Sequence, residues 1–172
     1  MVPAYTIALL EAGDAPVYNA FFAAGGQAHP EAFRIVPRDF RDTPFATAPS
    51  PDAFTLGAFG AENEGLLGVV SVERETGRAK RRHVAWLIRM YVAQSAAGRG
   101  IGRSLVREAV RLARERFAGV TQLNLTVIAS NEPARRLYLS EGFVVFAREI
   151  DALRDENGLF ADEEQMRFEL GV

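Results

Sequence analysis

The chain has 172 residues, 48% apolar and 24% charged, with a formal net charge of −2. That length suits one hydrophobic core, and the balance excludes both a disordered chain and a cysteine-rich secreted scaffold. With no cysteine and only His29 and His83 as histidines, disulfides, thiolate metal sites and a cysteine nucleophile are excluded, and a histidine-based metal site is poorly supplied.

The N-terminal MVPAYTIALLEAGD has no basic segment ahead of its short apolar run, and no run approaches the roughly 18 residues that cross a bilayer. A soluble, cytoplasmic protein without a membrane partner is expected. Twelve of the 20 basic residues lie between Arg74 and Arg116. They form either a patch for a small polyanion or solvated hairpin and helix faces, while the negative net charge argues against nucleic acid.

Tyr5 to Leu10 reads as a first strand, and Asp14 before Pro16 opens a helix through Ala24. From Gly25 to Pro51, five prolines and scattered aromatics (Phe33, Phe40, Phe45) predict short helices and loops, a place for specificity. Phe54 to Phe59 and Leu66 to Val72 flank AENEG as a hairpin, and His83 to Val92 follows the basic turn RETGRAKRR. A helix from about Ile101 to Phe117 carries Ile101, Leu105, Ala109, Leu112 and Ala113 on one face, with Arg103, Arg107, Arg111 and Arg114 largely off it. LNLTVI at 123 to 128 alternates as a strand, and Asn131, Glu132 and Pro133 begin a further helix that Gly142 stops. FVVFAREI and QMRFEL supply the last two strands. The order predicts an α/β fold, one domain over 1–172, with a mixed, mostly antiparallel sheet of six to seven strands flanked by helices. The last strand, if exposed, would permit a homodimer.

The stretch AGRGIGRSLVREAV sets three glycines in five positions before the arginine-bearing helix. A helix start leaves N–H groups unpaired at the positive end of the summed peptide dipoles, which makes an anion site. Gly98, Gly100 and Gly102 would let those groups close on a ligand, with Arg99 and Arg103 adding charge. Arg103 stands where G-x-G-x-x-G needs its third glycine, and no G-K-[ST] follows, so neither a dinucleotide fingerprint nor a P-loop is supported. A tight strand-to-helix turn is the other reading of the glycines.

The pattern M-Y-V-x-x-x-x-x-G-R-G-I-G at 90 to 102, followed by V-x-x-x-N-x-x-A-x-x-L-Y-x-x-x-G-F at 127 to 143, resembles the GNAT acetyltransferase superfamily. The resemblance spans about Leu66 to Leu170. It implies a sheet with splayed central strands and an acetyl-CoA-binding core over 84–143. The pantetheine arm of acetyl-CoA would lie in the gap, bonded to backbone at Met90, Tyr91 and Val92. The pyrophosphate would rest on Ala97, Gly98, Arg99, Gly100, Ile101, Gly102, Arg103 and Ser104. Asn131 would contact the cofactor, and Tyr138 would both border it and protonate the departing thiolate. The backbone N–H of Val92 would stabilise the oxyanion as a neutral primary amine attacks the thioester directly, in a ternary complex. Residues 25–51 would form the acceptor side, and no metal is implied. Read from the residues alone, Asn131 also suits a plain N-cap, and Tyr138 a core aromatic.

A lysine-like amine is neutral in only about one molecule in 10³ at pH 7, so a base or water chain is useful. Glu73, His83 and Glu149 are candidates, each with a surface or packing role as its alternative. The acid-rich run from Glu149 to Glu164 either draws a cationic amine or solvates a hairpin. Two departures from the family stand out. Ala97 replaces the common Arg or Gln, and Thr126 occupies the point where some protein N-terminal acetyltransferases carry a catalytic glutamate, which weakens a ribosomal-protein acetyltransferase reading. They keep open a non-catalytic acyl-CoA-binding regulatory module.

Overall fold

The computed structural model describes residues 5–36, 38–39, 45–61 and 64–171. One seven-stranded sheet runs through them: β1 (Tyr5–Leu9), β2 (Ala53–Gly60), β3 (Leu66–Arg74), β4 (Val84–Val92), β5 (Gln122–Ile128), β6 (Val144–Arg154) and β7 (Phe160–Glu169). Their spatial order is β1-β2-β3-β4-β5-β7-β6, every neighbouring pair antiparallel except β4 with β5. The expected mixed, mostly antiparallel sheet is present.

Helices cover both faces. α2 (Ile101–Arg116) buries Leu105, Val106, Ala109, Leu112 and Ala113 against Val70 and Val72 of β3 and Leu123 and Leu125 of β5. Side chains alternate along a strand, so Val69 points the other way and packs with Tyr18 and Phe22 of α1 (Ala15–Ala28). β3 is thus buried on both faces, which is why LLGVVSV reads as a nearly continuous apolar run rather than an alternating one. Its buried Ser71 hydroxyl is satisfied by Thr55 Oγ1 of β2 at 2.7 Å.

Two departures from the predicted elements have local causes. α1 continues four residues beyond Ala24, through Gly25 and Gly26, because Gly25 serves close packing: a Cβ there would meet the Tyr91 ring at 2.5 Å. The last two strands are longer than predicted and form a hairpin, its turn held by Asp155 Oδ1 accepting from the Asn157 and Leu159 amides at 2.9 and 2.8 Å. Among the described residues between Pro30 and Pro51 there are short helical pieces, a 3₁₀ turn at Pro30–Ala32 and helical residues at 38–39, joined by loop as expected; Phe40 lies outside the described residues. Among the described residues no helix is long and apolar enough to cross a membrane.

Candidate active site

The site begins where β4 and β5 part. Their pairing is confined to Val84–Gln122, Ala85–Leu123 and Trp86–Asn124, so the remaining lengths diverge. On its other side β4 stays paired with β3 up to Gly68–Val92. The Ala93 amide donates to Leu67 O at 2.9 Å. Antiparallel bonding alternates along a strand, so the Val92 N–H turns away from β3, toward the gap. A register slip between Val69 and Ser71 gives β4 an extra residue, and Arg89 takes φ +53° there.

The gap opens into a cavity of about 820 Å³. Met90, Tyr91 and Val92 border it from β4; Thr126, Val127 and Ile128 face them from β5. At one end lie Ala97, Gly98, Gly100, Ile101, Gly102 and Arg103, and α3 (Glu132–Ser140) contributes Ala134, Leu137 and Tyr138, with Asn131 just ahead of it. At the other end stand Phe22, Phe33 and Phe45, with His29, Glu31, Arg34 and Arg89.

The glycine end is shaped by backbone conformation. Gly98 and Gly100 hold φ of +76° and +78°, which other residues adopt at a cost. A Cβ on Gly98 would have nothing within 4 Å, and one on Gly100 only the Tyr5 hydroxyl at 3.9 Å. Gly102 differs: its Cβ would lie 3.1 Å from Leu137 Cδ2 and 3.4 Å from Met90 Cε, so it lets α3 and β4 approach α2. The Ser104 amide is bonded to Gly100 O at 3.1 Å, and no side chain caps α2. The amides of Ile101, Gly102 and Arg103 therefore have no acceptor within the helix. An open rim, three such amides and the helix dipole suit a diphosphate, such as the one in acetyl-CoA.

The charged side chains nearby are distributed unevenly. Arg103 borders the cavity and pairs with Glu141 at 2.8 Å, whereas Arg99 is drawn outward by Glu64 at 3.0 and 3.1 Å. Ser104 turns outward too, its Oγ 2.8 Å from the Tyr5 hydroxyl. Neither Arg99 nor Ser104 borders the cavity. Other arginines of the basic stretch meet carboxylates: Arg74 and Arg82 with Asp52, Arg81 with Glu75, Arg107 with Glu141, and Arg111 with Glu108 and Glu115.

Asn131 caps α3, its Oδ1 accepting from the Ala134 amide at 3.2 Å while the residue borders the cavity. Tyr138 is buried, its ring edge-on to Phe143 with centroids 5.7 Å apart, and burial pushes its phenol well above the usual value. It stays protonated at neutral pH.

Glu73, His83 and Glu149 are not brought to this cavity. Glu73 is ion-paired with Arg89. His83 is exposed at the far end of β4 from Val92, and Glu149 is exposed on β6, the edge strand. At the aromatic end the cavity is also bordered by His29 and Glu31, 3.6 Å apart, which the sequence did not single out. Their signal was their place beside Pro30 in the aromatic-rich segment after α1. Three of the seven carboxylates in the acid-rich run from Glu149 to Glu164 are ion-paired: Asp162 meets Arg148, Glu163 meets Arg34, and Glu164 meets Arg135 and Arg148.

A family model for the acetyltransferase (GNAT) family matches residues 17–143. The chain belongs to the GNAT acetyltransferase family. It is an acyltransferase of that family, and both motifs at the cavity fall within the matched span. A search of curated sequences gives no match. Among solved structures, a GCN5-related N-acetyltransferase from Kribbella flavida is 24% identical, with a TM-score of 0.78 and 96% of this chain and 98% of that one covered. YncA of Salmonella typhimurium, solved with its cofactor acetyl-CoA, is 19% identical, with a TM-score of 0.77 and coverage of 98% and 95%. A protein provisionally assigned as a phosphinothricin N-acetyltransferase is 22% identical, with a TM-score of 0.80 and coverage of 98% and 99%. At these identities the likeness concerns the fold, and this GNAT chain shares it from end to end.

Proposed function

We propose that the protein is an N-acetyltransferase that passes the acetyl group of acetyl-CoA to a primary amine by direct attack within a ternary complex. The observation that carries this reading is the β4–β5 gap, which joins an uncapped, glycine-rimmed helix start to an aromatic chamber in one cavity. In it, residues 84–143 serve as the cofactor-binding core and 25–51 as the acceptor side of one domain. Met90, Tyr91 and Val92 receive the pantetheine arm, and Ala97 to Ser104 the diphosphate, chiefly through backbone amides, with Arg103 beside them and Arg99 and Ser104 bracing the loop from outside. Asn131 fixes the start of α3 against the cofactor.

When bound, acetyl-CoA supplies a thioester carbonyl as the electrophile. The neutral amine adds its nitrogen to that carbon, the C–N bond forms, and the C–S bond breaks. The Val92 N–H donates to the carbonyl oxygen as negative charge gathers there, a contribution worth about 3 kcal/mol in comparable sites. The Tyr138 phenol gives its proton to the departing sulfur, and the same apolar surroundings that raise the phenol also make a thiolate more basic. The proton lost by the amine leaves at the acceptor end. His29, beside Glu31, replaces Glu73, His83 and Glu149 there as the proposed base because it borders the cavity and they do not.

The absence of cysteine supports a cytoplasmic setting. The last strand, β7, lies inside the sheet, so pairing with a second copy is proposed instead through the edge strand β6, where Val144, Phe146 and Ile150 are exposed.

An amine panel incubated with acetyl-CoA, read by thiol release and by mass spectrometry of the acceptor, tests the reading. A gain of one acetyl group on a primary amine is the expected result. Tight acetyl-CoA binding with no transfer to any amine would instead favour a regulatory acyl-CoA-binding module.

A further inference from the structure

Arg89 is an unusual residue in the cavity wall. Among the described residues it and Asp151 are the non-glycine positions at positive φ, and of the two only Arg89 borders the cavity. An L side chain adopts that conformation at a cost, and such strain persists where the surroundings over-determine it. Three contacts do so here. Arg89 Nε donates to Ser71 Oγ at 3.3 Å, Nη2 donates to Glu73, and the guanidinium carbon lies 4.5 Å from the centre of the Phe45 ring. Ser71 is itself anchored by Thr55. The Arg89 side chain is only 15% exposed.

A guanidinium has five N–H donors, and these contacts use one on Nε and one on Nη2. Three donors remain on a rigidly held cation at the acceptor end. Arg34 spends the same two donors, but both on the buried carboxylate of Glu163, whereas Arg89 gives a carboxylate only one. Arg103 sits at the opposite, glycine end. The buried Tyr18 hydroxyl stands beside Arg89 and Ser71 and can take one of the three remaining Arg89 donors, which leaves two for a ligand.

We propose that Arg89 receives a carboxylate on the acceptor, so that the substrate is a compact amine that also carries an acid, in the manner of an amino acid. This rests on the acetyl-transfer reading above. Arg89 lies three residues before Val92, about 10 Å of extended strand, shortened by the bulge and spanned in part by the side chain. Amine and acid must therefore sit within a small molecule. Its remaining surface meets the interlocked rings of Phe22, Phe33 and Tyr91, with centroid separations of 5.0 and 5.3 Å. A planar guanidinium grips a carboxylate through two parallel bonds and repels a second cation, so polyamines are disfavoured by the same group.

The test uses the intact protein, acetyl-CoA and the common L-amino acids, each matched with its carboxamide. The carboxamide's amine is the less basic of each pair, so more of it is neutral at pH 7 and simple reactivity favours the amide. At least one acid is expected to exceed its amide by roughly 10- to 100-fold in kcat/KM, the worth of hydrogen bonds to a charged group. Arg89→Gln should bring that ratio to within about threefold, and Arg89→Lys should restore part of it. Calorimetric binding of acetyl-CoA to each variant reports whether the cofactor side is intact. If a variant does not fold, the ratio for the unaltered protein decides alone. Amides acetylated as well as their acids, or a ratio untouched in Arg89→Gln, overturn the assignment while leaving acetyl transfer standing. No transfer to any amine overturns the acetyl-transfer reading and this one with it.

Discussion

Gly100 and Gly119 form a matched pair for testing where the diphosphate sits. Both hold left-handed backbone, with φ of +78° and +77°. An added Cβ would have nothing within 4 Å at Gly119 and only the Tyr5 hydroxyl at 3.9 Å at Gly100. Alanine at either position therefore carries the same backbone penalty, about 1–2 kcal/mol, without a clash. In a domain of this size each kcal/mol lowers Tm by roughly 2–4 °C, so both variants should melt roughly 2–8 °C early. Their positions differ: Gly100 borders the cavity at the start of α2, and Gly119 lies in the turn between α2 and β5, away from it. On the proposed placement of the diphosphate, a methyl group on Gly100 would crowd its oxygens at the helix amides. Losing one such charge-assisted bond weakens binding by roughly 10- to 100-fold. Gly119→Ala should keep the acetyl-CoA Kd within about twofold, since the penalty there falls on folding alone. Calorimetric titration and thermal unfolding, run on both variants, separate the two effects. Equal Tm losses with equal Kd values would refute the placement of the diphosphate on this helix.

Tyr138→Phe should lower kcat by at least about tenfold while changing the acetyl-CoA Kd little, as expected for a proton donor that acts on the leaving group; unchanged kcat would remove it from that role. The same variant bears on alkaline stability. Burial raises the phenols of Tyr18 and Tyr138 in the folded chain, so above about pH 10, the ordinary phenol value, the unfolded chain holds fewer protons and stability falls as pH rises. Melting scans from pH 8 to 11 should show a shallower decline for Tyr138→Phe, and parallel curves would contradict this. Gly25→Ala places a carbon 2.5 Å from the Tyr91 ring and should cost about 1–3 kcal/mol in denaturant unfolding, with a raised acceptor KM. Arg34→Met strands Glu163, only 4% exposed, and should cost about 3 kcal/mol; a loss below experimental error would show that the pair is not needed.

The parts of the fold that were legible in the sequence are those fixed by short-range rules. The alternation of LNLTVI, the amphipathic arginine helix and the Asn131-Glu132-Pro133 helix start each state their conformation within a few residues. The glycine loop could be located but not fully explained, since nothing local says that Gly98 and Gly100 serve backbone angle while Gly102 serves packing against Leu137. What escaped the sequence depends on partners distant in the chain. Gly25 looks like a helix stop until Tyr91, 66 positions later, is known to lie on it. Asp162, Glu163 and Glu164 look like part of a negative field until Arg34, Arg135 and Arg148 are found against them. Glu73 and His83 were attractive as bases by chemical type, but which end of a strand meets the cavity depends on where β4 and β5 separate, and only the register determines that.

β7 is last in the chain yet lies between β5 and β6. During synthesis β5 must therefore wait, unpaired along the edge that faces its eventual neighbour, until residues 160–169 leave the ribosome. Glu163 and Glu164, the counter-charges for Arg34 and Arg135, arrive with that same strand. A chain that stops before Phe160 cannot be a partly working enzyme; it is a half-closed sheet with an open edge, ready for a chaperone or a protease.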